Sequence, residues 1–318
     1  KDIDKRSKAE TEIQQSAILA LGLIGDSDED KIDQTVRKAL MDVDDLADPQ
    51  SRNFAVIALA HVGGRPGHGD GEAIAGAEEV RKALLQKLAR GQSQRKSWAG
   101  IGLGVLENSL VESSSAGAVS SASAEAVRTS LSKSKSPREV GSFSIALGMM
   151  GDLSGKAVLM DKLENISDPV TRGYVAIALG LLGDTAAIEP IQVVVSNAKF
   201  RPELLRSAAT ALGLLGDKDV VMELTTMLAD AKALSSQASI SQALGFIGDY
   251  RSITPLVDML QDKSLTGGAR GFAAVALGIV ADKEELPWNA KISVNLNYRA
   301  NTPTLTDPGN GTGILDIL

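Results

Sequence analysis

The string ALGLLGD occurs twice, over residues 178–184 and 211–217, and variants of it recur six more times along the 318 residues. Aligned on their last residue, the eight copies end at Asp26, Gly64, Asn108, Asp152, Asp184, Asp217, Asp249 and Asp282, with spacings of 38, 44, 44, 32, 33, 32 and 33. Self-similarity at a period of roughly 20–50 residues marks a chain built by stacking one small supersecondary unit. The second half is nearly metronomic, whereas the first half carries insertions.

Each copy has a physical reading. Between Gly173 and Gly183, Tyr174, Ile177, Ala178, Leu181 and Leu182 fall on one helical stripe, and Val175, Ala176 and Leu179 cover much of the rest. A helix that is apolar nearly all round must be buried. Gly183 suits the left-handed conformation past the helix end, and Asp184 can cap the next helix by accepting backbone N–H bonds. Pro190 and its counterpart Pro255 stand in the first turns of following helices, where a missing N–H costs nothing.

The register predicts first helices near 9–25, 51–63, 94–107, 139–151, 170–183, 202–216, 235–248 and 268–281. Second helices are expected near 28–41, 73–90, 122–133, 155–166, 187–197, 218–229 and 251–262. A two-helix hairpin cannot bury its own apolar face, so each needs neighbours, and the expected fold is an all-α solenoid of about eight hairpins. Small residues such as Ala211 and Gly213 let adjacent helices approach. A helix-interior Gly costs roughly 1 kcal/mol against Ala, so its recurrence implies a packing role.

The units SDPVTRGYVAIALGLLGDTAAIEPI and KFRPELLRSAATALGLLGDKDVVMEL resemble HEAT repeats of the short type also found in bilin lyase subunits. The resemblance spans about nine tenths of the chain and implies a scaffold more than an activity. Two copies depart from the pattern: His61, Val62, Gly63 and Gly64 end the second, and Glu107 and Asn108 end the third. The domain reading is a solenoid over 1–285 and a capping tail over 286–318.

Aromatic residues make up 3% of the chain, as expected where helices pack through small spacers. The net charge of −7 disfavours a nonspecific nucleic-acid binder, which needs a basic face. The chain has no cysteine, which excludes disulfides, thiolate catalysis and cysteine metal sites. No run approaches the roughly 20 apolar residues of a membrane span. The sequence opens at Lys1 directly before a helix, so a processed or truncated product is expected.

Three segments invite site hypotheses. GGRPGHGDGEAIAG, from Gly63 to Gly76, offers His68, Asp70 and Glu72, but it matches no metal-ligand spacing and is expected to be a solvated loop. The Ser-rich stretch from Ser113 to Ala126 reads as a surface loop or linker. DSDEDKID, from Asp26 to Asp33, fails the EF-hand pattern because Lys31 and Arg37 stand where Gly and Glu are required, and helix-start acids explain it better.

A cation recurs twelve residues before the motif's end at Arg52, Lys96, Arg172 and Arg270, with Arg206 displaced by one. Asp48 and Asp168 precede two of them by four residues. The HEAT resemblance implies a ladder of Asp and Arg that ties repeats together; the alternative is an anion-binding row, which requires several cations to converge on one face.

Beyond Pro287 helix signals stop. Ile292, Val294, Leu296 and Tyr298 alternate with polar residues at strand period, so a short β-like segment is expected to cap the last repeat, or to add a strand to a partner. The ending also resembles the C-termini of exported bacterial HEAT-repeat proteins, which leans the location toward the cell envelope or periplasm, against a cytoplasmic alternative.

No nucleophile elbow, phosphate loop or zinc-protease motif is present, and the two histidines are His61 and His68. The expected function is therefore a non-catalytic, non-enzymatic scaffold without cofactor or metal, holding a protein or peptide on a concave surface within a larger complex. Asp161, Glu189, Gln192, Glu223, Thr226, Asp258 and Gln261 are the partner-binding candidates, as polar points on otherwise apolar second helices. A bilin lyase-like subunit is the first alternative, although Trp98 and Trp288 are the only tryptophans for a tetrapyrrole pocket. A HEAT-like nucleic-acid binder is the second.

Overall fold

A computed structural model describes residues 8–43, 48–69, 71–198, 201–217 and 219–281. The strand-like tail, Trp288 and Asp70 lie outside them. Among the described residues there are fifteen α-helices in hairpin order. First helices are α1 (Lys8–Ile24), α3 (Pro49–Gly64), α5 (Ser93–Glu112), α7 (Pro137–Met150), α9 (Pro169–Leu182), α11 (Pro202–Leu214), α13 (Leu234–Ile247) and α15 (Gly267–Ala281). Between them run α2 (Lys31–Asp42), α4 (Ala77–Arg90), α6 (Ser121–Lys133), α8 (Lys156–Asn165), α10 (Ile188–Asn197), α12 (Val220–Asp230) and α14 (Ile253–Gln261).

The described chain forms two compact units, divided within α8 between Val158 and Leu159. In the N-terminal unit the first helices pack in series, α1 on α3, α3 on α5 and α5 on α7. In the C-terminal unit α9, α11, α13 and α15 do the same. Within each unit α2, α4, α6, α10, α12 and α14 lie against their own or the following first helix, so contacts stay local, as stacking requires.

The glycines of the motif explain how closely these helices meet. A Cβ on Gly180 would stand 2.9 Å from Ala211 Cα, and one on Gly245 would stand 3.2 Å from Ala276 Cα. Gly in one copy thus faces Ala in the next, and a methyl group there would push two backbones apart. The stop signal also works as read: Gly183 has φ 74° and closes α9, and Asp184 then accepts from Ala186 N–H at 2.9 Å. Gly151, Gly216 and Gly248 repeat the left-handed turn.

The two irregular copies solve the same problem differently. In the second, α3 runs through Gly64, and Arg65 Nη1 reaches back to donate to the Leu23 carbonyl at 2.9 Å, satisfying the end of α1. In the third, α5 continues to Glu112, and the fully buried Glu107 caps from inside the helix. Its carboxylate accepts from Ser120 N–H at 3.0 Å, Ser123 Oγ at 2.6 Å and Arg81 Nε at 2.6 Å. Helix α6 starts at Ser121, one residue before the expected second helix, so the Ser-rich stretch forms a connection only up to Ser120.

Candidate binding surfaces

Three polar ties between repeats follow a register that the sequence pattern did not show. Arg81 on α4 reaches Glu107, Arg128 on α6 reaches Asp152, and Gln192 on α10 donates to Asp217 Oδ2 at 2.7 Å. Each bond runs from a second helix to the motif acid 24 to 26 residues later. That spacing was the available signal. Asp48 and Asp168 cap their own helices, accepting from Ser51 and Thr171 N–H at 2.7 and 2.8 Å, and Asp48 also ties its helix to α1 by accepting from Gln15 Nε2 at 3.0 Å. Arg172 Nε donates to the Leu163 carbonyl and Arg270 Nε to the Leu260 carbonyl, both at 2.7 Å, so these cations hold the C-terminal ends of second helices. Arg206 Nη1 reaches Gln242 Oε1 at 3.4 Å, and Lys96 sits half-buried in the first turn of α5.

The glycine-rich segment is packed onto the acidic one rather than loose in solvent. Gly69 N–H donates to Asp28 Oδ2 at 2.6 Å, and Gly76 N–H donates to the Ser27 carbonyl at 2.8 Å. A Cβ on Gly67 would meet Asp26 Oδ1 and Asp28 Oδ2, so only Gly lets the segments touch. Asp30 caps α2, accepting from Ile32 and Asp33 N–H. Carboxylate oxygens of Asp26, Asp28 and Asp33 lie within 4.8 Å of one another. Burial pushes the Asp33 carboxyl above its ordinary value, and the charges of Asp26 and Asp30 add to this, against the hydrogen bond from Asp26 N–H.

The histidines do not form a catalytic pair with any partner the described residues show. His68 is exposed, and His61, half-buried on α3, is kept below its ordinary pKa by burial and by the charge of Arg65. Trp98 is 1% exposed and packs edge-on against Phe54 with ring centroids 6.4 Å apart. It belongs to the core.

Four of the seven partner-binding candidates fall into two hollows of the C-terminal unit. Glu189, Gln192 and Glu223 line a groove of about 370 Å³ between α10 and α12, together with Val193, Ser196 and Asp219. Within it Ser196 Oγ donates to Glu223 Oε1 at 2.7 Å, and Gln192 is already committed to Asp217. Asp258 lines a second hollow, of about 390 Å³, at the C-terminal ends of α12 and α14, with Gln237, Met259 and Asp262. Hydrogen bonds from the Ser264 hydroxyl and N–H hold the Asp262 carboxyl below its usual value, so it stays ionised. Asp161, Thr226 and Gln261 are exposed on α8, α12 and α14 and line neither hollow.

The N-terminal unit has a hollow in the matching place, which sequence reasoning missed. It measures about 360 Å³, lies at the C-terminal end of α4, and is lined by Arg52, Asn53, Lys87, Arg90 and Arg95 with Met41 and Val56. Arg52 and Gln237 hold the same register position, twelve residues before Gly64 and Asp249. Gln237 Nε2 donates to the Ala231 carbonyl at 2.9 Å, the kind of bond that Arg172 and Arg270 make in their own repeats. The same architectural position thus carries four cations in one unit and two aspartates in the other.

Comparison with known proteins bears on the repeat and on one expectation. No curated protein matches the sequence. Among solved structures the chain is similar to the complex of CpcE and CpcF of phycocyanin lyase from Nostoc sp. PCC7120, with 16% identity, a TM-score of 0.46, and 77% of this chain and 93% of that chain covered. That structure is of an enzyme by its own title, so the expectation that the chain is not an enzyme is withdrawn. No described helix is long and apolar enough to cross a membrane. The family model for HEAT repeats matches residues 156–235, so the all-α hairpins of this chain are similar to HEAT repeats, and over that stretch they match that family.

Proposed function

We propose that the second helices of the C-terminal unit bind a protein partner through a basic, amphipathic segment. The observation that carries this reading is the composition of α10, α12 and α14. Together they present Glu189, Glu223, Asp230 and Asp258 and contain no Lys or Arg. Arg251, in the turn before α14, stands beside the groove with its Nη1 3.7 Å from Asp219. Large apolar side chains stand exposed among these acids: Val193 at 54%, Met222 at 61% and Ile253 at 40%. Apolar anchors rimmed by one sign of charge suit a helix with apolar residues on one face and Lys or Arg beside them. An exposed Met adapts its shape to such a partner at low cost.

Fluorescence anisotropy with two synthetic amphipathic helices, one of Leu and Lys and one of Leu and Glu, tests the reading. The Leu/Lys peptide is expected to bind and the Leu/Glu peptide to remain free. Glu189→Lys with Glu223→Lys should weaken the first about tenfold or more. Equal binding of both peptides, or no effect of the double substitution, defeats the proposal. Absorbance of a free bilin mixed with the protein is a separate measurement; a spectral shift would add tetrapyrrole binding to this role.

A further inference from the structure

The first helix, α1, and the last described one, α15, have no role in that reading. We infer that α15 of one copy of this chain docks on α1 of a second copy, through the same contact that joins successive repeats inside each unit.

That internal contact has a fixed register. The first Gly of the ALGLLGD motif, two residues after its first Ala, meets the motif Ala of the next copy. A Cβ would stand 2.7 Å from Ala58 Cα at Gly22, 3.0 Å from Ala146 Cα at Gly104, 2.9 Å from Ala211 Cα at Gly180 and 3.2 Å from Ala276 Cα at Gly245. Positions two residues apart lie about 200° apart around a helix, so each first helix offers the Gly on one face and the Ala on the opposite one.

At α1 the Ala face is open. Ile13, Ala17, Ala20 and Ile24 recur at spacings of four, three and four, so they share one side of the helix, and all are exposed, Ile13 at 70% and Ile24 at 73%. Later copies bury the same positions. Ala58, Ala146, Ala178 and Ala211 stand in the place of Ala20 and are at most 2% exposed, and Val62, Leu106, Met150 and Leu182 stand in that of Ile24 and are at most 7% exposed.

At α15 the Gly face is open. Gly271, Ala274, Val275 and Gly278 are exposed, whereas their counterparts in α9, Gly173, Ala176, Ile177 and Gly180, are buried. Among the described residues nothing lies within 4 Å of a Cβ on Gly278.

The two open faces are therefore the two halves of one joint, and Gly278 matches Ala20 as Gly245 matches Ala276. None of the residues on them carries a charge, whereas a repeat that ends a stack needs a polar outer surface. The register selects the occupant. A helix reaches backbone distance from a Gly only where it presents a small residue, and α1 of a second copy presents Ala20 there. Contact between unlike faces is heterologous, so copies add until a ring closes or a filament grows.

Sedimentation velocity of the full chain from about 1 to 100 µM tests the inference; the mean mass should rise with concentration. Ile24→Lys blocks the Ala face and Ala274→Lys the Gly face. Each alone should weaken association at least about tenfold with an unchanged circular dichroism melt, since both side chains are exposed. Mixed in equal amounts, the two variants should form a dimer and nothing larger, because the intact α15 of the first meets the intact α1 of the second. A parent that stays monomeric over the whole range, as it would with α15 covered by residues 282–318, overturns the inference. So does a single variant that associates like the parent, or a mixture that stays monomeric.

Discussion

Two hollows built at the same place in the repeat, one in each unit, carry opposite charge. Near Arg52 the walls are cationic, and near Gln237 they are acidic, although helix ends, turn positions and dimensions correspond. The repeat therefore fixes where a cavity forms, through helices held apart at their ends, while side chains that the packing does not constrain decide what enters. A stacked scaffold can present several chemically distinct sites without altering its core.

The comparison extends to how each unit is tied together, and it is easiest to break there. Glu107 in the N-terminal unit is buried against Arg81, whereas Asp217 in the C-terminal unit meets the neutral Gln192. Glu107→Ala leaves the Ser120 N–H and the Ser123 hydroxyl without their acceptor and Arg81 with Glu78 alone, and should cost about 3–5 kcal/mol in denaturant unfolding. Asp217→Ala should cost only about 1–2 kcal/mol. Equal losses would mean that the two units are held alike.

Helix approach gives a graded test of the next size. An added Cβ would come within 2.7 Å of the neighbouring Cα at Gly22, 2.9 Å at Gly180 and 3.3 Å at Gly213. Substitution by Ala should destabilise in that order, by about 1–3 kcal/mol at the tightest sites. Reversal of the order would show that Gly22 acts through local helix propensity and not through packing.

Smaller still is the effect of Asp33→Asn. The folded Asp33 carboxyl has a raised pKa, so its charged form opposes folding at neutral pH. The Asn variant should be more stable than the parent at pH 7. The gap should close as pH falls through the raised value toward the ordinary 3.8, where both states are protonated. Thermal melts across that range measure it. Gln237→Arg, which inserts the register's usual cation into the acidic hollow, should change stability by less than about 0.5 kcal/mol while lowering affinity for a basic peptide docked nearby.

The fold was legible because its signals are local and repeated. Gly183 as a stop, Asp184 as a cap and the apolar stripe of α9 follow from consecutive residues, and the period multiplies the evidence. Glu107 was misleading because it occupies a turn position in the alignment yet sits inside a continuing helix, where its long side chain reaches α6. The basic hollow was hidden for a different reason: Arg52, Lys87, Arg90 and Arg95 come from three helices, and no single window contains them. Gln192 and Glu223 were found as polar points on apolar helices, but their bonds to Asp217 and Ser196 depend on the pairing of repeats, which periodicity alone does not give.

Hydrogen exchange on the full chain, with and without the Leu/Lys peptide, tests the central claim that the acidic surface of the C-terminal unit takes a basic partner and the matching hollow of the N-terminal unit does not. The peptide should slow exchange over residues 188–230 and 253–262 only, and leave 41–56 and 83–98 unchanged. Protection of both regions, or of the N-terminal one alone, would contradict the account.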